Sequence, residues 1–189
     1  MTESLHHHIL LFPNEKEALV DSATRIGIAI LMPSRAEFVP IGHIGMEAFP
    51  ERNEVLGLPW STYWVKSLYI SRALQCSGLG RNAMHQLEQA ASSAPLNCTT
   101  MALDTVRGDF QKSEVWLGGF YDDRGLPRPD VMRTNEEWYV RQGYEILRAD
   151  AGAYEWMNRA TGKIMEVPRA FFKKDLRKIR PRGELGVRP

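Results

Sequence analysis

The chain has 189 residues, 43% of them hydrophobic and 25% charged, with a formal net charge of +1. That length suits one ordinary domain, and the composition sets aside a disordered or low-complexity chain. Two cysteines, Cys76 and Cys98, are too few for a disulfide framework, and no apolar run approaches the about 18 residues of a membrane span.

Charge is unevenly spread. Residues 173–189 hold seven basic side chains against Asp175 and Glu184, a net +5 that leaves the remainder at −4. With Pro181, Gly183, Gly186 and Pro189, this stretch reads as a basic, flexible tail. It has no aromatics beyond Arg177, so nucleic-acid contact is not expected. No secretory leader pattern precedes the apolar segments, and the default expectation is the cytoplasm. The run His6-His7-His8 is assigned no role, and no metal site is expected. The organisation expected is therefore an N-terminal tail or shortened first elements over 1–24, a folded domain over 25–172 and the tail over 173–189.

In chain order, residues 26–32 form a nearly continuous apolar run, consistent with a buried strand. After a turn at Pro33-Ser34-Arg35, residues 38–49 alternate, with Ile44, Met46 and Ala48 opposite His43, Gly45 and Glu47. Together the two runs read as an antiparallel hairpin. Residues 50–59 hold two prolines and a glycine and read as a loop. Residues 63–70, Tyr-Trp-Val-Lys-Ser-Leu-Tyr-Ile, are the strongest strand pattern in the chain. A helix follows to about Ala91, with Leu79, Ala83, Leu87 and Ala91 on one face and His85 and Glu88 off it. Residues 98–106 are another strand, which completes a βαβ unit with parallel strands. Residues 107–133 lack clear periodicity and read as a long loop, either functional or disordered. Residues 135–142 are a short helix closed by Gly143, and two last strands are expected near 144–148 and 154–158.

Between the best strand and the best helix lies Gln75-Cys76-Ser77-Gly78-Leu79-Gly80. The first amides of a helix lack internal partners and sit at the positive end of its dipole. Glycines let the backbone approach an oxygen closely and take positive φ, so such a turn cradles a pyrophosphate. Alone, the turn is equally at home as a structural connection. A Walker loop is excluded because Arg81-Asn82 follows Gly80. A dinucleotide fingerprint would accept Ala83 and the acidic Asp104, but it should open a run of βαβ units, and none follows.

The strand Leu68-Tyr69-Ile70, this turn, and the later Trp138-Tyr139-Val140-Arg141-Gln142-Gly143-Tyr144 together resemble the GNAT superfamily of N-acetyltransferases. The first two match the family's coenzyme motif, Gln/Arg-x-x-Gly-x-Gly/Ala after a hydrophobic strand. The last matches its Phe-Tyr-x-x-x-Gly-Phe segment. The resemblance covers 26–156. It implies a mixed α/β fold, with a mostly antiparallel central sheet flanked by helices and one parallel βαβ coenzyme unit. It also implies acetyl-CoA as co-substrate and a primary amine as acceptor. Backbone groups of Leu68, Tyr69 and Ile70 would pair with the pantetheine arm, and amides of Gln75, Cys76, Ser77, Gly78, Leu79, Gly80 and Arg81 would hold the pyrophosphate. Tyr139 matches the tyrosine that protonates the departing thiolate.

The chain departs from the family in three places. Fewer than 25 residues precede the first strong strand, where acceptor-shaping helices usually lie. Met132 stands where the family often has asparagine, with Asn135 nearby. The 107–133 segment is longer than usual and is suited to a lid.

Direct attack on a thioester needs no cysteine nucleophile, so Cys76 is read as a variable motif position despite its place at a helix start. His43, Glu47 and Asp104 are candidate bases, with a water chain as the equal alternative. A non-catalytic acyl-CoA-binding module is the alternative function. A monomer and a homodimer are both compatible with the sequence.

Overall fold

Aromatic and β-branched residues give this chain its sheet, and a computed structural model shows how the strands are ordered. It describes residues 19–20, 25–26, 29–30 and 32–178. The expectations for residues 1–18, including the histidine run, and for residues beyond 178 fall outside that set. The chain divides into two compact units, residues 1–45 with 67–89 and residues 46–66 with 90–189.

In the first unit, β1 (Leu19–Val20) pairs antiparallel with β4 (Glu37–Phe38), and β2 (Arg25–Ile26) pairs antiparallel with β3 (Ala29–Ile30). This corrects the reading of 26–32 as one strand hairpinned with 38–49. Arg25 pairs with Ile30 and Ile26 with Ala29, so the described residues of the apolar run pair with one another and not with 38–49. The unit also takes the first part of β5 (Gly42–Ala48) and the last part of β6 (Tyr63–Ile70). At Gly42 a Cβ would lie 2.3 Å from the Tyr69 carbonyl oxygen, a distance no side chain tolerates, so glycine is required there. The helix α2 (Leu79–Ser92) begins in this unit. Its innermost residues here are Met84 and Glu88; Leu79, Ala83 and Leu87 are half-buried. The buried row is thus turned slightly from the expected one, because residues four apart share a face and long stems cover apolar surface.

The second unit contains the body of the sheet. Strand order is β5-β6-β7-β10-β8, with β9 paired to β10, where β7 is Thr100–Val106, β8 Glu145–Arg148, β9 Ala153–Met157 and β10 Ile164–Asp175. β6 and β7 run parallel, registered at Tyr63↔Met101 and Trp64↔Ala102, and the pairings of β7, β8 and β9 with β10 are antiparallel. The mostly antiparallel sheet with one parallel pair is the architecture expected. β10 was not expected at all, yet it pairs with three strands. Pro168 sits where β10 passes from β9 to β7, its carbonyl accepting from the Arg107 amide at 2.9 Å, and a bulge falls between Phe171 and Phe172. These interruptions destroy the period-2 pattern that reveals a strand. β10 also carries Lys173 and Lys174 into the sheet, so the basic segment starts inside an element.

Two stretches read as loops are helical. α1 (Pro50–Val55) uses Pro50 at its first turn, where proline is well tolerated. The 107–133 segment holds α3 (Gly108–Gln111) and α4 (Glu114–Phe120), the latter capped by the Ser113 side chain. Trp116 of α4 is 6% exposed and packs with Val106 and Val167, with Phe110, Phe120, Trp156 and Met165 around them. The first half of the segment is therefore part of a core. Asn158, fully buried, ties it down by donating from Nδ2 to the Gly119 carbonyl and to Asp123 Oδ2, both at 2.9 Å. Among the described residues no helix is long and apolar enough to cross a membrane.

Candidate active site

The glycine turn is fixed by its own side chains. After β6 a single 3-10 turn, Arg72–Leu74, redirects the chain, with the Ser71 amide donating to the Ile41 carbonyl at 2.8 Å. Gln75 Nε2 donates to the Ile70 carbonyl at 3.0 Å, and the Ser77 hydroxyl donates to the Leu74 carbonyl. Neither bond uses an amide of the turn. Cys76 has φ +66° and Gly78 φ +87°, two left-handed positions on either side of Ser77 just before α2. Left-handed positions are one ingredient of the backbone concavities that receive anions. A Cβ at Gly78 would meet nothing within 4 Å. Backbone conformation, not crowding, therefore demands glycine there. Gln75, Cys76, Ser77, Gly78 and Arg81 are exposed, as is Tyr69 at the end of β6; Leu68, Ile70, Leu79 and Gly80 are half-buried. The candidate coenzyme residues of the first unit thus form one strand end, one turn and one helix start.

Tyr139 belongs to the second unit, on α5 (Asn135–Val140). A capping box starts that helix, Thr134 accepting from the Glu137 amide while Glu137 reaches back to the Thr134 amide. Gly143, at φ +86°, ends it as expected. The Tyr139 ring packs edge-on to Trp138 at 4.9 Å and to Tyr144 at 5.8 Å, with Phe172 at 6.5 Å. Burial, and secondarily the negative charge of Asp104, pushes the phenol up to about 12. It therefore holds its proton at neutral pH.

Asp104 is the electrostatic centre of this unit. Arg52 Nη1 lies 3.7 Å from Oδ1 and Arg169 Nη1 3.9 Å from Oδ2. Both arginines are held mainly by other contacts. The Arg52 guanidinium sits over the Phe49 and Trp64 rings at 4.6 and 4.7 Å. Arg169 Nε donates to the Ala151 carbonyl at 3.0 Å. Neither arginine was legible as a site residue, because both come from elements, α1 and β10, that the sequence pattern did not reveal.

Beyond Asp104, β7 opens into a cleft of about 460 Å3. Its polar side is Asp104, Thr105, Gln111 and Asn135. Asn135 locks that side together, its amide donating to Gln111 Oε1 at 2.8 Å and its Nδ2 to Thr105 Oγ1 at 3.1 Å. Trp116, Phe120, Tyr121 and Met132 also line it, with Val106, Tyr154 and Arg133 completing the lining. Of the other expected bases, Glu47 is exposed, and His43 is exposed with its ring 5.6 Å from Tyr69. His85, expected in solvent, is half-buried, and its Nδ1 is out of water. Among the described residues no group of three or more His, Cys, Asp or Glu is placed to hold a metal ion.

No protein-family model and no curated protein sequence matches the chain. Several solved structures are similar to it. An aminoglycoside 6'-N-acetyltransferase complexed with coenzyme A is 14% identical, over 96% of this chain and 83% of that one, with a TM-score of 0.45. Arabidopsis thaliana NAA60 in complex with a bisubstrate analogue is 12% identical, over 92% of each chain, with a TM-score of 0.42. An acetyltransferase from Bacillus cereus is 13% identical, over 92% of this chain and 86% of that one, with a TM-score of 0.37. At these values the likeness supplies no residue-by-residue correspondence.

Proposed function

We propose that the chain is an acetyl-CoA-dependent N-acetyltransferase of the GNAT type, passing the acetyl group to a primary amine by direct attack. The observation that carries this reading is the turn at residues 75–80, which has the motif's residues, two left-handed positions and a fourteen-residue helix starting at Leu79. In the proposed complex the amides of Gln75 to Arg81 hold the pyrophosphate. Main-chain groups of Leu68 and Ile70 pair with the pantetheine arm as an added strand would. Tyr69, exposed between them, flanks that arm.

In the chemical step the neutral amine nitrogen attacks the thioester carbonyl carbon. A C–N bond forms and the carbonyl oxygen takes the negative charge. Collapse breaks the C–S bond, and the departing thiolate takes a proton from the Tyr139 hydroxyl. The nitrogen sheds its surplus proton to water, and Tyr139 recovers one from solvent. The phenol is protonated at neutral pH, as a proton donor must be, and the burial that raises it to about 12 also makes it a weaker acid than a tyrosine in water.

Calorimetric titration with acetyl-CoA, on the native chain and on Gly78→Trp, tests the reading. Tryptophan is strained at φ +87° and fills the space in front of the helix. Native binding lost in the variant is the expected result. A folded native chain that does not bind acetyl-CoA sinks the proposal. Binding without thiol release for any amine leaves a non-catalytic acyl-CoA-binding module.

A further inference from the structure

We propose that the cleft faced by the 107–133 segment is the acceptor site, and that it takes a primary amine borne on a flat aromatic body, with the amine nitrogen at Asp104. This rests on the acetyltransferase reading and gives it a substrate class. The cleft's lining is of two kinds, polar and apolar. The Asp104 carboxylate accepts no hydrogen bond among the described residues; the two arginines beside it stand at 3.7 and 3.9 Å and act as charges rather than donors. Its oxygens therefore keep room for an amine N–H.

Apart from Arg133, the rest of the lining is apolar and largely aromatic. The Trp116 and Phe120 rings stack 5.1 Å apart at 13°, and Tyr121 and Met132 extend the surface, the Tyr121 hydroxyl resting 3.9 Å from the Met132 sulfur. Planar rings and a thioether match a planar apolar group better than a sugar or a polyol. A volume of about 460 Å3 lies in the range of small-molecule sites and holds one or two rings.

The charge count narrows the class further. Arg52, Asp104 and Arg169 together carry one positive charge, and Arg133 adds another at the exposed rim. A polycation would be repelled. A single amine is received by one carboxylate, while the neighbouring guanidiniums disfavour its extra proton, which must leave before attack.

The test titrates the full chain calorimetrically with phenethylamine, ethanolamine and spermidine, each with and without saturating coenzyme A. Phenethylamine is expected to bind at least about thirtyfold more tightly than the other two. Asp104→Asn and the uncharged Met132→Gln are each expected to weaken it about tenfold, with acetyl-CoA affinity unchanged. Because Asp104 sits beside two arginines and its variant can lose the fold, Met132→Gln and Tyr121→Ala, both in the cleft lining, carry the test independently. Equal binding of the three amines overturns the proposal, as does phenethylamine binding that ignores the Met132 and Tyr121 variants. If acetyl-CoA fails to bind while phenethylamine binds with the expected sensitivities, the cleft stands and the coenzyme reading falls.

Discussion

Tyr139 and Asn53 carry the two clearest single-residue consequences of burial. The Tyr139 phenol is lifted to about 12 by burial and by Asp104, against about 10 for a tyrosine in water. It is therefore protonated in both folded and unfolded chains below pH about 10. The favourable neutral state in the fold contributes stability that is lost as pH rises from about 10 through 12. In a kcat/KM profile the rising limb then belongs to the amine, and no falling limb is expected below pH about 10. Tyr139→Phe keeps the ring contacts and removes the proton, so kcat is expected to fall by about 10²–10⁴ with little change in KM for acetyl-CoA. An unchanged kcat would assign the proton to water. Asn53 is 1% exposed, its Nδ2 donating to the Thr62 carbonyl at 3.0 Å and its Oδ1 accepting from Trp64 Nε1 at 2.8 Å. Asn53→Leu leaves the buried indole N–H without an acceptor, and a loss of about 2 kcal/mol is expected in urea unfolding.

At the scale of elements, legibility followed the regularity of the pattern. β6, α2 and β7 were readable because each keeps one period over its length, and with them came the parallel pair and the turn between. The α5–Gly143 segment was readable for its closing glycine. β10 was hidden by Pro168 and the bulge at Phe171/Phe172, and α1 by the proline that starts it. α3 and α4 were hidden because they span only four and seven residues, too few turns to show a period. So the glycine turn and the helix that carries Tyr139 could be placed from sequence as candidates, whereas the arginines beside Asp104 and the aromatic wall of the cleft could not. What holds that wall in place is partly Asn158. Asn158→Ala frees the Gly119 carbonyl and Asp123, and hydrogen exchange over residues 114–124 is expected to quicken more than tenfold, about 1.4 kcal/mol or more of local stability. The exposed fork of Arg128 on Asp122 and Glu114 spans the same stretch. As a surface network it is expected to contribute little, and Arg128→Ala should leave that exchange nearly unchanged. Equal effects of the two substitutions would mean that the surface fork, rather than the buried amide, sets the wall.

For the whole molecule, a ligand that binds only the folded chain must stabilise it, whichever residues it touches. With acetyl-CoA at a hundred times its dissociation constant the gain is about 2.7 kcal/mol. For a chain of this length each kcal/mol raises Tm by about 2–4 °C, so a rise of about 5–10 °C is expected in a calorimetric scan. Gly78→Trp should melt at its own temperature with or without acetyl-CoA. The location of the effect is as informative as its size. The turn and the helix start belong to the first unit, so coenzyme protection from hydrogen exchange is expected first over residues 68–82, where β6 ends and α2 begins. A rise in Tm that persists in Gly78→Trp, or protection confined to residues 100–175, would place the coenzyme on the other unit and separate the glycine turn from its proposed role.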